Sequence, residues 1–249
     1  MSSGFCPTHR PGRGQIGFAA SLQIRFALFM SIQNRFDSDK QISCYGYTIR
    51  RGGKVYKADI AGGSLKIYES RIIADLLLRR LPAAAWRQAI EVDNVLQKTS
   101  IGTAKRQASL IKARLKSTPP MLWELVRDGT KPVATQAVFA AAIAHSPLLR
   151  DFLLLHVRDR FRSGDLGLAR SHWRTFVASC QDRDPEMSQW SASTTDKLGD
   201  TAFRILTEVG MLTESEKPTL QPVHYEPEIL RCLQDQKLDE VLRAMQVFL

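Results

Sequence analysis

Apolar residues recur at helical spacing along almost the whole chain after Tyr68. Ile72, Ile73, Leu76, Leu77 and Leu81 form one face of a first helix. Pro82 stops it and suits the first turn of a second, whose inner face is Trp86, Ala89 and Ile90. Ser100 can cap a third helix running to about Lys116, with Ile101, Ala104, Ala108, Ile111 and Leu115 as its stripe. Pro119 and Pro120 are the clearest interior break. Shorter helices are expected at about Met121–Arg127 and Val133–His145, then a long one from Pro147 to about Arg162.

The next helix covers about Ala169–Cys180, with Trp173, Phe176, Val177 and Cys180 inward. Ser193 begins the last long helix, with Asp196 as the acidic partner of a capping box and Gly210 as the stop. Its core face is Leu198, Ala202, Ile205, Leu206 and Val209. Met211–Tyr225 loses the period, holds two prolines and reads as two short strands around a loop at Glu214–Pro218. Two C-terminal helices finish the chain, the second packing through Leu238, Val241, Leu242, Met245 and Phe248. The expected fold class is all-α, mainly helical, with a small β-hairpin wing. Two helical subdomains, 58–118 and 119–249, containing helix-turn-helix and winged-helix-like units, follow a basic extension at 1–57.

That extension is rich in Gly, Ser and Arg and reads as mostly irregular, with a short strand in Tyr45–Ile49 or Lys54–Lys57. Ile16–Ile32 is fairly apolar and follows His9, Arg10 and Arg13, the order of a signal peptide or anchor. Gln23 and Arg25 interrupt it and it falls short of a bilayer span, so no membrane insertion is expected. Translation starting at Met30 is the better account of this leader.

Charge changes the picture more than composition does. The chain has 35 Lys and Arg against 25 Asp and Glu, a net charge of +10. A surplus of this size points to a polyanion. Nine basic and two acidic residues fall in Met1–Lys57, so the body is nearly balanced and its case rests on local clusters. The four cysteines are scattered without metal-ligand spacing, which fits a reducing cytoplasm.

The strongest cluster is Gln97–Ser117, with Lys98, Lys105, Arg106, Lys112, Arg114 and Lys116 and no acidic residue. Six cations on one element repel one another unless an anion relieves them, and DNA phosphates do so with release of counterions. The apolar stripe points Arg106 and Lys116 away from the core and puts Lys105 on one flank. Lys98, Ser100 and Thr103 sit at the helix start, where free N–H groups and the positive dipole end favour phosphate. Two shorter helices precede it, the order of a helix-turn-helix with Thr99–Lys116 as recognition helix.

A second cluster spans Ser193–Tyr225. Thr194, Lys197, Thr201 and Arg204 lie on the polar side of the capped helix, and the expected hairpin completes a winged-helix outline. Asp196, Asp200 and Glu208 weaken its electrostatics. The basic stretch from Arg10 to Lys57 is a third candidate, as a flexible arm along a phosphate backbone.

Enzyme chemistry is not expected, nor is a cofactor or metal. Gly62, Gly63 and Ser64 lack the spacing and lysine of a phosphate-binding loop. His145, His156 and His172 fall on different expected helices and form no ligand pattern; His156 reads as a core histidine. Asp182, Asp184 and Glu186 make an acidic turn without a converging further ligand.

The chain resembles the BrxA family of the bacterial phage-exclusion (BREX) defence systems. The likeness runs through Asp59–Leu65, Glu69–Leu77, Asn94–Ser100 with Thr103–Arg106, Ala134–Ala137, His145–Phe152, and Trp190–Thr194 with Lys197 and Leu198. No block is diagnostic alone; their order and spacing are what carry the resemblance. It implies a small helical protein encoded with a defence system, without an enzymatic motif, that binds double-stranded DNA and works beside other subunits of that system. The family has also been likened to the antitermination protein NusB, which implies RNA as a second ligand class. An adaptor that docks on a larger defence subunit is the further reading. Members have been labelled inner-membrane proteins; the polar periodicity of each helix after Tyr68 argues against that here.

Overall fold

The computed structural model describes Met1 and residues 56–248. The expectations for the leader, including Ile16–Ile32, Met30 and the Tyr45–Ile49 strand, lie outside these residues. Of the other expected strand, Tyr56 and Lys57 are described and belong to no strand. All described residues after Met1 fall in one compact unit, Gly53–Leu249.

Its elements are helices, most of them joined by short segments: α1 Ile67–Leu78, α2 Ala83–Arg87, α3 Ile101–Lys116, α4 Pro120–Asp128, α5 Lys131–His145, α6 Pro147–Asp151, α7 Arg158–Ser163, α8 Arg170–Arg183, α9 Ala192–Glu208, α10 Pro227–Asp235 and α11 Asp239–Met245. Two wide π turns extend this set, Gln88–Val92 after α2 and Phe152–Val157 between α6 and α7. The mainly helical expectation holds.

Helix α5 is the centre. Thr130 caps it, its hydroxyl accepting from Val133 N, and Pro132 occupies the first turn, where a missing N–H costs nothing. Val133, Ala134 and the run Gln136–Ile143 are all buried, because α1, α3, α4, α10 and α11 pack around it. Small alanines at 140–142 let neighbours approach on several sides. The chain then turns by 102° at Ser146 into α6. Among the described residues no single helix is long and apolar enough to cross a membrane.

Ser146 is fully buried and works twice at that corner. Its Oγ donates to Asp59 Oδ1 at 2.5 Å and accepts from Leu149 N. Tyr56, a few residues earlier, donates its hydroxyl to Asp151 at 2.6 Å. The segment that enters α1 is thereby fastened to the central helices.

Helices α8 and α9 form the second layer of interest. Trp173 is buried, meets Phe152 edge-on at 4.9 Å and donates its indole N–H to Thr195 O. Gly199 gives it room: a Cβ there would stand 2.7 Å from Trp173 Cδ1. The cap of α9 is Ser191, which accepts from Thr194 N, two residues before the expected Ser193. Asp196 makes no capping box; it binds Arg174 of α8 at 2.7 Å. Gly210 ends the helix as expected, with φ 84°. The bonds Gly210 N to Thr207 O and Met211 N to Leu206 O complete a Schellman closure.

The β-hairpin wing is corrected. Leu212 and Leu220 form one isolated bridge, and Gly167 and Thr219 form another; among the described residues no strand is present. Pro218 and Pro222 bracket the second arm and have no N–H to extend a ladder. The arm pairs on both sides without forming a ladder: with the first arm through Thr213 N to Thr219 O and Gln221 N to Met211 O, and with Leu166–Leu168 through Leu220 N to Leu166 O and Leu168 N to Pro218 O. The winged-helix outline therefore lacks its wing.

Candidate nucleic-acid interface

The α3 helix forms because its two ends and its buried face agree. Ser100 is its N-cap, the hydroxyl accepting from Thr103 N at 3.2 Å. Ala104, Ala108, Ile111 and Leu115 are buried, as the stripe predicts. Ile101 is not; it is 57% exposed, one turn before the packing begins.

The six cations of this segment have six different surroundings. Lys98 is withdrawn: its ammonium lies 2.6 Å from Glu69 Oε1, and both side chains are largely covered. Burial pushes the Glu69 carboxyl up, yet the Lys98 hydrogen bond and charge outweigh it and hold the acid below its usual range. The Asn94 side chain also fixes the Lys98 backbone, accepting from its N–H and donating to its C=O. Lys105 is exposed and lies 3.1 Å from Glu91. Lys112 sits over the Trp86 ring, 3.8 Å from its centroid. Partial burial and then neighbouring Lys116 lower the Lys112 pKa.

Arg114 is a core residue with 2% exposure. Its guanidinium donates to Ser64 O at 2.7 Å and Gly63 O at 2.8 Å. Burial lowers its pKa to about 10, with Asp59 and Glu208 opposing, so it stays charged at neutral pH. One signal for this lay in the sequence: Arg114 adjoins Leu115 and follows Ile111 by three, on the edge of the buried stripe.

Arg106 and Lys116 are exposed, and neither has a carboxylate partner among the described residues. Arg106 lies back on the helix start, donating to Thr103 Oγ1 at 3.3 Å, while Ser100 donates to the same oxygen. Lys105, Lys112 and Lys116 are spaced seven and four apart and so share one side of α3. Trp86 and Glu91, five residues apart across a π turn, both reach that side. Val92 beside them is 68% exposed.

On α9, Lys197 and Arg204 are exposed and seven apart, on one side. The acids that weaken this surface on paper are occupied. Arg170 and Arg174 of α8 bind Asp200 and Asp196, and Glu208 accepts from Leu65 N at 2.7 Å. Lys197 and Arg204 keep no carboxylate partner among the described residues.

The histidines are closer than their sequence positions imply. His156 and His172 have ring centroids 5.6 Å apart, and His156 Nε2 is buried without a hydrogen-bond partner. Burial, then the charge on His172 and Arg160, keeps His156 below the ordinary histidine pKa. A cation site is disfavoured there, because Arg160 already points at His172 Nε2 from 3.4 Å.

A small helical body with two exposed basic helix faces, one on α3 and one on α9, is the class these features define. A model of the BrxA family matches residues 54–237. The chain belongs to the BrxA family. It is 52% identical over 192 residues to a protein named BREX protein BrxA from Paramagnetospirillum magneticum, covering 77% of this chain and 96% of that one. A protein of the same name from Escherichia coli is 33% identical over 205 residues, covering 81% of this chain and 96% of the other. The crystal structure of an uncharacterized protein from Magnetospirillum magneticum superposes with a TM-score of 0.73 at 49% identity, covering 78% of this chain and 99% of that one.

Proposed function

We propose that this BREX-system protein is a non-enzymatic, cytoplasmic accessory subunit that holds double-stranded DNA. The observation that carries the reading is the outer side of α3, a helix of 16 residues with no acid and with four cations outside the core, Lys105, Arg106, Lys112 and Lys116. Arg106 and Lys116 stand there exposed and without a carboxylate partner among the described residues, and Lys112 lies over Trp86. Such a surface binds phosphate, so affinity depends steeply on salt and weakly on sequence. Lys197 and Arg204 supply a second contact. Lys98 contributes little, because Glu69 holds it, and Ser100 and Thr103 serve the helix cap and Arg106 first.

The test is an anisotropy titration with labelled duplex DNA at two salt concentrations, with a duplex RNA arm. It compares the full chain, a chain starting at Met30, and the Arg106→Glu/Lys116→Glu variant. The charge reversal is expected to abolish measurable binding at the higher salt. If only removal of the leader does so, the interface lies in the leader and not on α3.

A second reading has its own observation. Val92 and Ile101 are exposed apolar side chains beside the Glu91–Lys105 pair, a surface suited to docking on another subunit of the defence system. Under that reading the charge reversal leaves DNA affinity weak and unchanged, and Ile101→Asp abolishes capture of the partner subunit.

A further inference from the structure

The basic face of α3 carries its own competitor. Glu91 reaches across from the π turn to place Oε1 3.1 Å from Lys105 Nζ, with 54% of the lysine and 31% of the glutamate side chain exposed. An ion pair this open, made through one contact, adds little to stability and exchanges readily with solvent ions. The Lys98–Glu69 pair is different in kind. It is closer, at 2.6 Å, and its side chains are only 22% and 12% exposed. Separating it would leave a largely covered carboxylate without its cation.

We infer that Glu91 competes with DNA phosphate for Lys105 and so sets the affinity of this surface, while Glu69 and Lys98 are a fixed part of the fold. The inference rests on the α3 interface proposed above. When a phosphate takes Lys105, the contact to Glu91 is lost and the freed carboxylate faces a polyanion. Both effects oppose binding, and both vanish when the carboxylate becomes an amide. Asp93, two residues on, accepts from the Gln88 side chain instead. Lys112 faces the Trp86 ring, Val92 and Ile101 are apolar, and no second carboxylate pairs with Lys105 among the described residues. Lys105 is thus held in reserve, available in proportion to how well the ligand displaces its neighbour.

The experiment is a two-by-two comparison on the full chain: wild type, Glu91→Gln, Lys105→Gln and the double variant, titrated against a labelled mixed-sequence duplex at low and higher salt. Glu91→Gln is expected to tighten binding about three- to tenfold at low salt, with a smaller gain at high salt. In the Lys105→Gln background the same change should give a clearly smaller gain, because only the repulsion between a free carboxylate and the polyanion is then relieved. Equal tightening in both backgrounds would overturn the inference, because it would show only a change in overall charge. So would unchanged or weakened binding by Glu91→Gln alone. The Arg106→Glu/Lys116→Glu variant, run alongside, separates the two failures. If it binds like wild type, the α3 interface itself is wrong and the inference falls with it.

Discussion

Arg114 and Glu208 hold one short turn from opposite ends. The guanidinium of Arg114 donates to the carbonyls of Gly63 and Ser64, and the Glu208 carboxylate accepts from the N–H of the next residue, Leu65. A buried guanidinium with two strong acceptors is satisfied; without it, two carbonyls lose their donor inside the fold. The clip joins α3, the turn before α1, and the last turn of α9.

Removing the clip should be costly. Arg114→Leu is expected to lower unfolding free energy by about 3 kcal/mol in urea titrations. Arg114→Lys should recover less than half of the loss, since an ammonium cannot present the paired donors of the fork. A loss for Arg114→Leu under about 1 kcal/mol would mean that water already serves those carbonyls.

Gly199 is required by a close approach. A side chain there meets the ring of Trp173 at 2.7 Å, and the ring is fixed by Phe152 and by its bond to Thr195 O. Gly199→Val should cost about 1–3 kcal/mol and separate α8 from α9. Thermal unfolding followed by tryptophan fluorescence reads both; an unchanged midpoint would show that the layer yields.

The α9 surface makes a graded prediction. Lys197→Ala and Arg204→Ala should each reduce the salt dependence of DNA binding by about one unit of slope, with little preference among sequences. Slopes equal to wild type in both variants would confine the interface to α3.

Acid should weaken the fold through its histidines. His156 is depressed by burial first and then by His172 and Arg160, with Asp159 opposing. His172 is depressed by burial and Arg160 with Asp165 opposing, and His145 by burial and Arg114 with Asp59 opposing. A depressed folded-state pKa means that the unfolded chain binds more protons below the ordinary value of 6.5. Stability from these groups is present above 6.5 and is lost as pH falls toward each folded value. The melting temperature should therefore drop as pH is lowered from 6.5, and His156→Phe should flatten that drop. The substitution also removes a buried nitrogen without a partner, so it should cost nothing at pH 7. Superimposable pH profiles for variant and wild type would refute this.

Much of the helical layout was legible, because caps and stripes are local. Ser100, the buried face of α3 and the stop at Gly210 all follow from residues within a turn or two of each other. What depended on distant partners was not. Glu69 and Glu91 come from other helices, and the carbonyls that bury Arg114 lie about fifty positions upstream. Two serines near the start of α9 were locally equivalent, and only the Arg174 contact explains why Asp196 does not cap. The hairpin stops short of a ladder for a reason present in the sequence, the prolines at 218 and 222, whereas the pairing of the same arm with Leu166–Leu168 had no local signal. The π turns escaped altogether, since each is a single wide turn that no residue type marks.

The π turn at Gln88–Val92 works as a phase keeper. In an ordinary helix, residues five apart point in widely different directions, at about 100° per residue. Widening the turn lets Trp86 and Glu91 address the same neighbour. Deleting one residue here would leave α2 and α3 intact as helices but would force a choice between the ring beneath Lys112 and the acid beside Lys105. The spacing between those two side chains is therefore as much a part of the cationic face as the lysines themselves.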